Sequence, residues 1–152
     1  MAERARPQAV LFACQMNAVR SPMAAALLQQ MFGSSIRTAS VGVAAGELDP
    51  FAVAVMDEIG IDISRHKPID FAEYEDLEGL DFDRIITLSP GAHHQALTLS
   101  DRVPAAVEYW ATSDPTAIEG NREQRLDAYR TMRDQLTKQI RGRFGGVASV
   151  NE

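Results

Sequence analysis

"VLFACQMNAVRSPMAAALL", residues 10–28, decides how this chain folds. Its first part belongs to a short, uncharged and partly β-branched run at residues 9–13, which predicts a strand buried on both faces. From Pro22 the apolar residues recur at helical spacing, which predicts a helix. Cys14, the only cysteine of the chain, and Arg20, six positions later, lie where the predicted strand passes into the predicted helix.

The same alternation of strand and helix recurs along the rest of the chain. Further strands are predicted at 37–43, 82–89 and 106–110, and further helices at 50–59, 70–77, 92–99 and 122–143. Strands that alternate with helices imply parallel strands joined by crossovers. The sequence therefore predicts an α/β fold, a three-layer sandwich around a small four-stranded parallel sheet.

In such a sheet, ligands bind beyond the carboxyl ends of the strands. The loops after the first and the fourth predicted strands, residues 14–21 and 111–120, are therefore the candidates for a functional site.

Length and composition predict one domain without structural disulfides or metals. A chain of 152 residues, 45% of them hydrophobic, is long enough for one core and too short for two. We expect a single domain over residues 1–152, with a flexible tail from about residue 144 to 152. One cysteine cannot form an internal disulfide, and no Cys and His pairs occur at zinc-binding spacing, so we expect no metal and no cofactor.

Charge and hydropathy exclude two classes of partner. The formal net charge of −6 argues against nucleic-acid binding, which needs a basic surface. No apolar run approaches the length of a membrane span, and the first residues lack the apolar segment of a secretory signal. We therefore expect a soluble, cytoplasmic protein without a membrane partner. The sequence does not determine its oligomeric state.

The loop after the first strand is suited to bind a phosphate-like anion. Amides of a chain that curls from a strand into a helix converge on one point, and the helix dipole adds positive potential there. Arg20 adds a planar guanidinium that matches two oxygens of a tetrahedral anion. The same field favours the thiolate of Cys14, a nucleophile for bound phosphorus, and Ser21 can donate to its sulfur. The residues predicted to bind phosphate are Gln15, Met16, Asn17, Ala18, Val19, Arg20 and Ser21.

The loop after the fourth strand offers an acid. Asp114 is followed by Pro115, which restricts the backbone and helps to orient the carboxyl group. Protonated Asp114 would give its proton to the leaving oxygen, and its carboxylate would then activate the water that hydrolyses a phosphocysteine. This chemistry requires neither a metal nor a cofactor.

These residues give the chain a family resemblance. "CQMNAVRSP", "TASVG", "DPFAVAVMDEIGIDISRHKP", "FDRIITLS" and "SDP" occur in the order found in the low-molecular-weight protein tyrosine phosphatases and the related arsenate reductases, which the chain resembles. The resemblance implies a flavodoxin-like fold of the phosphatase type I class, with Cys14 as nucleophile, Arg20 as phosphate clamp and Asp114 as general acid. It also implies a hydrogen-bond network that supports the loop, formed by Asn17, Ser21, Thr38 and His66.

The chain departs from the family pattern at several positions. Met16 stands where the family often has glycine, and Val19 stands where many members carry a second cysteine. The thioredoxin-coupled arsenate reductases use further cysteines that this chain lacks. The usual aromatic walls for a phosphotyrosine ring are thin, because non-aromatic residues follow Asp114 and occupy positions 44 and 45.

Three functions remain open from the sequence. The first is a metal-independent, cysteine-dependent phosphomonoesterase, which acts on a phosphoprotein or a small phosphomonoester through a phosphocysteine. The second is an arsenate reductase that uses an external thiol. The third is a phosphate-binding module without turnover.

Overall fold

The computed structural model describes residues 7–145. Within them, four parallel strands and five α-helices alternate along the chain. Their bounds are β1 Ala9–Cys14, α1 Arg20–Phe32, β2 Arg37–Gly42, α2 Pro50–Asp57, α3 Phe71–Glu78, β3 Arg84–Thr87, α4 Pro90–Leu99, β4 Ala106–Tyr109 and α5 Arg122–Ile140. The strand order is β2-β1-β3-β4, and every neighbouring pair is parallel. The predicted α/β fold is confirmed.

Helices cover both faces of the sheet because the residues of β1 alternate between two cores. Val10, Phe12 and Cys14 pack in the cluster that contains α1, α2 and α5. Leu11 and Ala13 pack in the cluster that contains α3 and α4. All six residues of β1 are buried, as expected of an inner strand of a parallel sheet. The molecule is therefore a three-layer sandwich.

The first turn of α1 begins earlier than predicted and has no side-chain cap. The helix begins at Arg20, two residues earlier than the predicted start at Pro22, and no side chain caps its first turn. The other long helices are capped by side chains, as in α5, where Asn121 accepts from the amide of Gln124. The first turn of α1 therefore lacks a capping side chain, and the amide of Ser21 instead lies 3.4 Å from the sulfur of Cys14.

The longest helix, α5, is amphipathic and covers one face of the sheet. Its buried residues are Leu126, Tyr129, Met132, Leu136 and Ile140. Its polar face carries ion pairs, among them those of Arg130 and Arg133 with Glu58. Neither α5 nor any other helix within residues 7–145 combines the length and apolarity needed to cross a bilayer.

The expectation of a flexible tail is wrong for its first part. Arg141–Gly145 continue α5 as a π-helical turn, and Phe144 is completely buried against Phe32, with ring centroids 6.4 Å apart. The Nη2 of Arg143 lies 2.7 Å from a carboxylate oxygen of Glu108. Burial of an aromatic ring together with this ion pair outweighs the chain entropy that the nearby glycines favour. The rest of the predicted tail, residues 146–152, lies outside the described residues.

Candidate active site

The two candidate loops meet at one cavity beyond the carboxyl ends of the strands. Cys14, Arg20 and Asp114 all line this cavity, which has a volume of about 440 Å³. Cys14 comes from the end of β1, Arg20 from the start of α1 and Asp114 from the loop after β4. Nowhere in residues 7–145 do three or more His, Cys, Asp or Glu side chains form a group suited to a metal ion.

The backbone of the phosphate loop, residues 14–21, is turned so that its carbonyls face away from the curl. The carbonyls of Cys14, Gln15 and Ala18 accept hydrogen bonds from amides of residues 43–49 at 3.0 to 3.2 Å. No described peptide bond is cis, so the N–H that follows each carbonyl points the opposite way, to the inner side of the curl. Those three amides donate to no group within residues 7–145. Such a set of convergent amides suits an anion.

The sulfur of Cys14 lies at the start of α1, next to two donors. Its Sγ is 3.0 Å from the Ser21 hydroxyl and 3.4 Å from the Ser21 amide nitrogen, and only 2% of the residue is exposed. The same hydroxyl lies 3.2 Å from the carbonyl of Val41, to which it can donate. Because a hydroxyl has one hydrogen, it donates to Val41 when Cys14 is a thiol and to sulfur when Cys14 is a thiolate.

Asn17 holds the loop in its shape. It is the only non-glycine residue in 7–145 with a positive φ, 54°. Its Nδ2 donates to the hydroxyls of Ser21 and Ser40 at 2.8 and 2.9 Å. Its Oδ1 accepts from the amide of Ile69 and from Nε2 of His66 at 2.9 and 3.0 Å. Three of the four predicted support residues, Asn17, Ser21 and His66, therefore share one network.

Thr38, the fourth predicted support residue, is not part of this network, so that assignment is wrong. Its hydroxyl donates to the Gln29 side chain at 3.1 Å on the exposed surface. The hydroxyl that meets Asn17 belongs to Ser40, which is 7% exposed. In the parallel register of β1 and β2, Cys14 lies opposite Gly42, which places position 40 two residues closer to the loop than position 38.

His66 connects the loop to the segment before α3. Its Nε2 lies 3.0 Å from Oδ1 and 3.2 Å from the backbone oxygen of Asn17. Both are acceptors, so Nε2 is the nitrogen that carries hydrogen. Burial lowers the pKa of His66 below its usual value, although the hydrogen bond to the Asn17 backbone opposes that shift. The neutral ring is therefore favoured.

Arg20 links the phosphate loop to the segments that follow β3 and β4. The residue is 9% exposed, and its Nη1 donates to the carbonyl of Thr112 at 3.0 Å and to that of Leu88 at 3.3 Å. Its Nε and Nη2 donate to no residue of 7–145, so two further N–H directions are available to an anion in the cavity. Thr112 lies two residues before Asp114, so the same contact ties the arginine to the loop of the predicted acid.

Asp114 is an exposed residue with one oriented carboxylate oxygen. Its Oδ1 accepts from the amide and the hydroxyl of Thr116 at 3.0 and 2.7 Å, which caps the 3-10 turn Pro115–Ala117. Its Oδ2 makes no hydrogen bond within the described residues. The loop thus fixes the direction of the carboxyl group at the edge of the cavity.

Comparison with known proteins assigns the family. The model of the family described as low molecular weight phosphotyrosine protein phosphatase matches residues 9–151. The chain belongs to this family. The resemblance predicted from the five sequence pieces is therefore confirmed at the level of family and fold.

Relatives in this phosphatase family carry two kinds of name. The arsenate reductase of Shouchella clausii is 31% identical over 134 residues, which cover 87% of this chain and 91% of that protein. A probable low molecular weight protein-tyrosine-phosphatase of Ralstonia solanacearum, EpsP, is 48% identical over 60 residues, 38% of this chain and 41% of that protein. Among solved structures, an arsenate reductase in the phosphate binding state matches with a TM-score of 0.73 and 26% identity, over 92% of this chain and 98% of that one.

One contact of the phosphate loop, made by Asp49, was not predicted from the sequence. Asp49 lines the cavity, and its amide donates to the carbonyl of Ala18 at 3.2 Å. Its carboxylate accepts from the amide of Phe51 at 2.8 Å and from the hydroxyl of Tyr129 at 2.6 Å. Burial, together with this hydrogen bond, raises the pKa of Tyr129 well above its usual range. The sequence predicted Asp49 as a helix cap and Tyr129 as a core residue, but not their contact.

Phe51 and Arg125 are two further cavity residues that the sequence did not reveal. Both line the cavity together with Cys14, so its wall contains an aromatic ring and a second cation. The sequence considered positions 44 and 45 and the residues after Asp114 for an aromatic wall, whereas the ring comes from the first turn of α2. Arg125 lies in a strongly charged stretch of α5, where no local pattern distinguishes it from its neighbours.

Proposed function

We propose that this protein hydrolyses phosphomonoesters without a metal, through a phosphocysteine formed on Cys14. The observation that carries the proposal is the convergence of Cys14, Arg20 and Asp114 on one cavity. A nucleophile, an anion clamp and an acid at one site are the parts that metal-free phosphoryl transfer requires. Membership of a phosphotyrosine phosphatase family supports the same reaction class.

In the first step, the thiolate of Cys14 attacks the phosphorus of the bound ester. The S–P bond forms while the P–O ester bond breaks, and protonated Asp114 gives its proton to the leaving oxygen. The charge on the three equatorial oxygens is stabilised by the loop amides and by the Arg20 guanidinium. The alcohol then leaves, and a phosphocysteine remains.

In the second step, water hydrolyses the phosphocysteine. The carboxylate of Asp114 takes a proton from the water while its oxygen bonds to phosphorus and the S–P bond breaks. The sulfur leaves with the bonding electron pair, and the Ser21 hydroxyl, 3.0 Å away, donates to the thiolate that forms. Inorganic phosphate is released, and both residues return to their starting forms.

Hydrolysis of p-nitrophenyl phosphate in the presence of a chelator tests the proposal. Cys14→Ser is expected to abolish turnover, because the hydroxyl is a much weaker nucleophile. Asp114→Asn is expected to lower kcat by about a hundredfold to ten-thousandfold, the usual contribution of a general acid and base. Asp101→Asn, an exposed carboxylate in the turn after α4, is the matched control and keeps wild-type turnover.

Two results would contradict this proposal. Tight binding of inorganic phosphate without turnover of any ester identifies a phosphate-binding module instead. Turnover that survives in Cys14→Ser excludes the phosphocysteine.

A second candidate is the reduction of arsenate with an external thiol. The observation that favours it is the name arsenate reductase, carried both by the Shouchella clausii relative and by the similar solved structure. Arsenate has the same tetrahedral shape and charge as phosphate, so it fits the same anion site. Cys14 is the only cysteine of the chain, so an arsenate reductase of this sequence would need thiols from outside it.

The balanced reaction uses two external thiols. The thiolate of Cys14 bonds to arsenic, and a water molecule leaves. A first thiolate attacks the sulfur of Cys14, which forms a mixed disulfide while arsenic keeps the electron pair of the S–As bond and leaves as arsenite. A second thiolate then releases Cys14 and forms the external disulfide.

Assays of both substrates on one preparation separate the two candidates. Arsenite formation that requires glutathione and is lost in Cys14→Ser, together with poor ester hydrolysis, favours the reductase. Chelator-resistant ester hydrolysis without thiol-dependent arsenite formation favours the phosphatase.

A further inference from the structure

The cavity contains a cation that the chemistry proposed above does not use. Arg125, in the first turns of α5, lines the same cavity as Cys14 and Asp114. The Cζ of its guanidinium lies over the Phe51 ring, 4.7 Å from the ring centre, where the ring face attracts the cation. The N–H groups of this guanidinium donate to no group within residues 7–145, so they remain available as donors.

Arg125 forms no ion pair with a carboxylate of residues 7–145, although Asp49 and Asp114 line the same cavity. Arg130 and Arg133, on the same helix, pair with Glu58, but the side chain of Arg125 forms no ion pair and no hydrogen bond within residues 7–145. Glu47 also lines the cavity without pairing with it. An arginine that is positioned by an aromatic ring and lacks an acidic partner is available to an anion inside the cavity.

Part of the cavity lining is apolar. Met16 is 43% exposed, and it lines the cavity together with Leu48 and Phe51. A flat or aliphatic group attached to the bound phosphate can therefore bury its surface against these side chains. An anionic group at the far end of such a molecule would meet Arg125.

We propose that Arg125 selects phosphomonoesters whose leaving group carries a second anionic group, separated from the phosphate by an apolar body that packs on Phe51. This inference rests on the proposed phosphatase function. A molecule with a net charge of −6, and with Glu47, Asp49 and Asp114 at the same cavity, otherwise repels a substrate that carries extra negative charge. Arg125 offsets this repulsion locally, and the preference weakens as salt screens it.

The test compares phenyl phosphate with phenyl phosphates that carry a carboxylate at position 3 or 4 of the ring. The measured quantity is the ratio of kcat/KM for each carboxylated ester to kcat/KM for phenyl phosphate. The effect of the leaving group cancels when this ratio is compared between the wild type and a variant. We expect Arg125→Gln to lower the larger ratio about five- to tenfold, and Arg125→Lys, which keeps the charge, to lower it less.

Arg122 provides the matched control. Its Cζ also lies over the Phe51 ring, at 5.3 Å, but Arg122 does not line the cavity. Arg122→Gln is therefore expected to keep the wild-type ratio. The inference is overturned if Arg125→Gln leaves both ratios within twofold of the wild type, or if Arg122→Gln lowers them equally.

A binding measurement separates this inference from the proposed function. Phenylphosphonate and 4-carboxyphenylphosphonate have no ester bond to hydrolyse, and calorimetry gives their affinities for the wild type and Arg125→Gln. A preference for the carboxylated phosphonate that Arg125→Gln loses, without turnover of any ester, supports the inference and rejects the phosphatase. Ester turnover with equal affinities for the two phosphonates, in 0.05 M and in 0.5 M salt alike, supports the phosphatase and rejects the inference.

Discussion

At the scale of single residues, Asn17 offsets its own backbone strain with its side chain. A left-handed conformation costs a residue other than glycine about 1 kcal/mol or more. Four side-chain hydrogen bonds hold it there, two donated by Nδ2 and two accepted by Oδ1. Because the partners come from α1, β2 and the segment before α3, one side chain fixes the loop relative to three parts of the fold.

Substitution of Ser40 tests this network directly. Ser40→Ala leaves one Nδ2 hydrogen of Asn17 without its acceptor in a buried site, which is expected to cost about 1–3 kcal/mol of the free energy of unfolding. Under the proposed function, kcat/KM for p-nitrophenyl phosphate is expected to fall as well, because the loop amides lose their fixed direction. Thr38→Ala, on the same strand face but bonded only to Gln29, is expected to change stability by less than about 0.5 kcal/mol. Equal urea midpoints and equal kcat/KM for the two variants would show that the Ser40 hydroxyl does not support the loop.

At the scale of elements, β2 ends in a residue that must be small. A Cβ on Gly42 would lie 2.4 Å from the carbonyl oxygen of Ala44 and 2.7 Å from the amide nitrogen of Asn17. The strand therefore approaches the phosphate loop as closely as its backbone allows. Because of this close approach, residues 43–49 run alongside the phosphate loop. Their amides donate hydrogen bonds to the carbonyls of the loop.

The end of α5 gives the second prediction at this scale. Phe144 is fully buried and contacts the ring of Phe32, so Phe144→Ala is expected to lower the free energy of unfolding by about 3–5 kcal/mol. Leu97→Ala, at a position 50% exposed on α4, is the control and is expected to cost much less. Urea denaturation followed by circular dichroism measures both. No loss of stability in Phe144→Ala would mean that this segment behaves as the tail that its glycines predicted.

At the scale of the whole molecule, the sequence predicted what depends on local pattern. Apolar periodicity is carried by residues close in sequence, so the strands, the helices and the loop that joins Cys14 to Arg20 were predictable. The choice of Ser40 over Thr38 depends on the register between two strands, which local pattern does not specify. The positions of Phe51 and Arg125 depend on how α2 packs against α5, a contact between segments about seventy residues apart.

The pH dependence of stability is a property of the whole molecule that follows from particular groups. Burial lowers the pKa of His66 below its usual value of 6.5, and the hydrogen bond to Asn17 opposes this only in part. Hydrogen bonds from Arg130 and Arg133 lower the pKa of Glu58 below 4.5. Each of these groups binds its proton more weakly in the folded chain than in the unfolded one. Each therefore contributes stability that is lost when the pH falls.

We predict two separate losses in the free energy of unfolding on acidification. The contribution of His66 is complete above about pH 6.5 and declines below it, because the unfolded chain takes up this proton first. The contribution of Glu58 stays intact until about pH 4.5. Urea unfolding at successive pH values should therefore show a decline between about pH 6.5 and pH 5 that is smaller in His66→Gln and retained in Glu58→Gln. The other two histidines are present in all three proteins, so their effect cancels in the comparison. Parallel curves for the wild type and His66→Gln over this range would show that protonation of His66 is not coupled to folding.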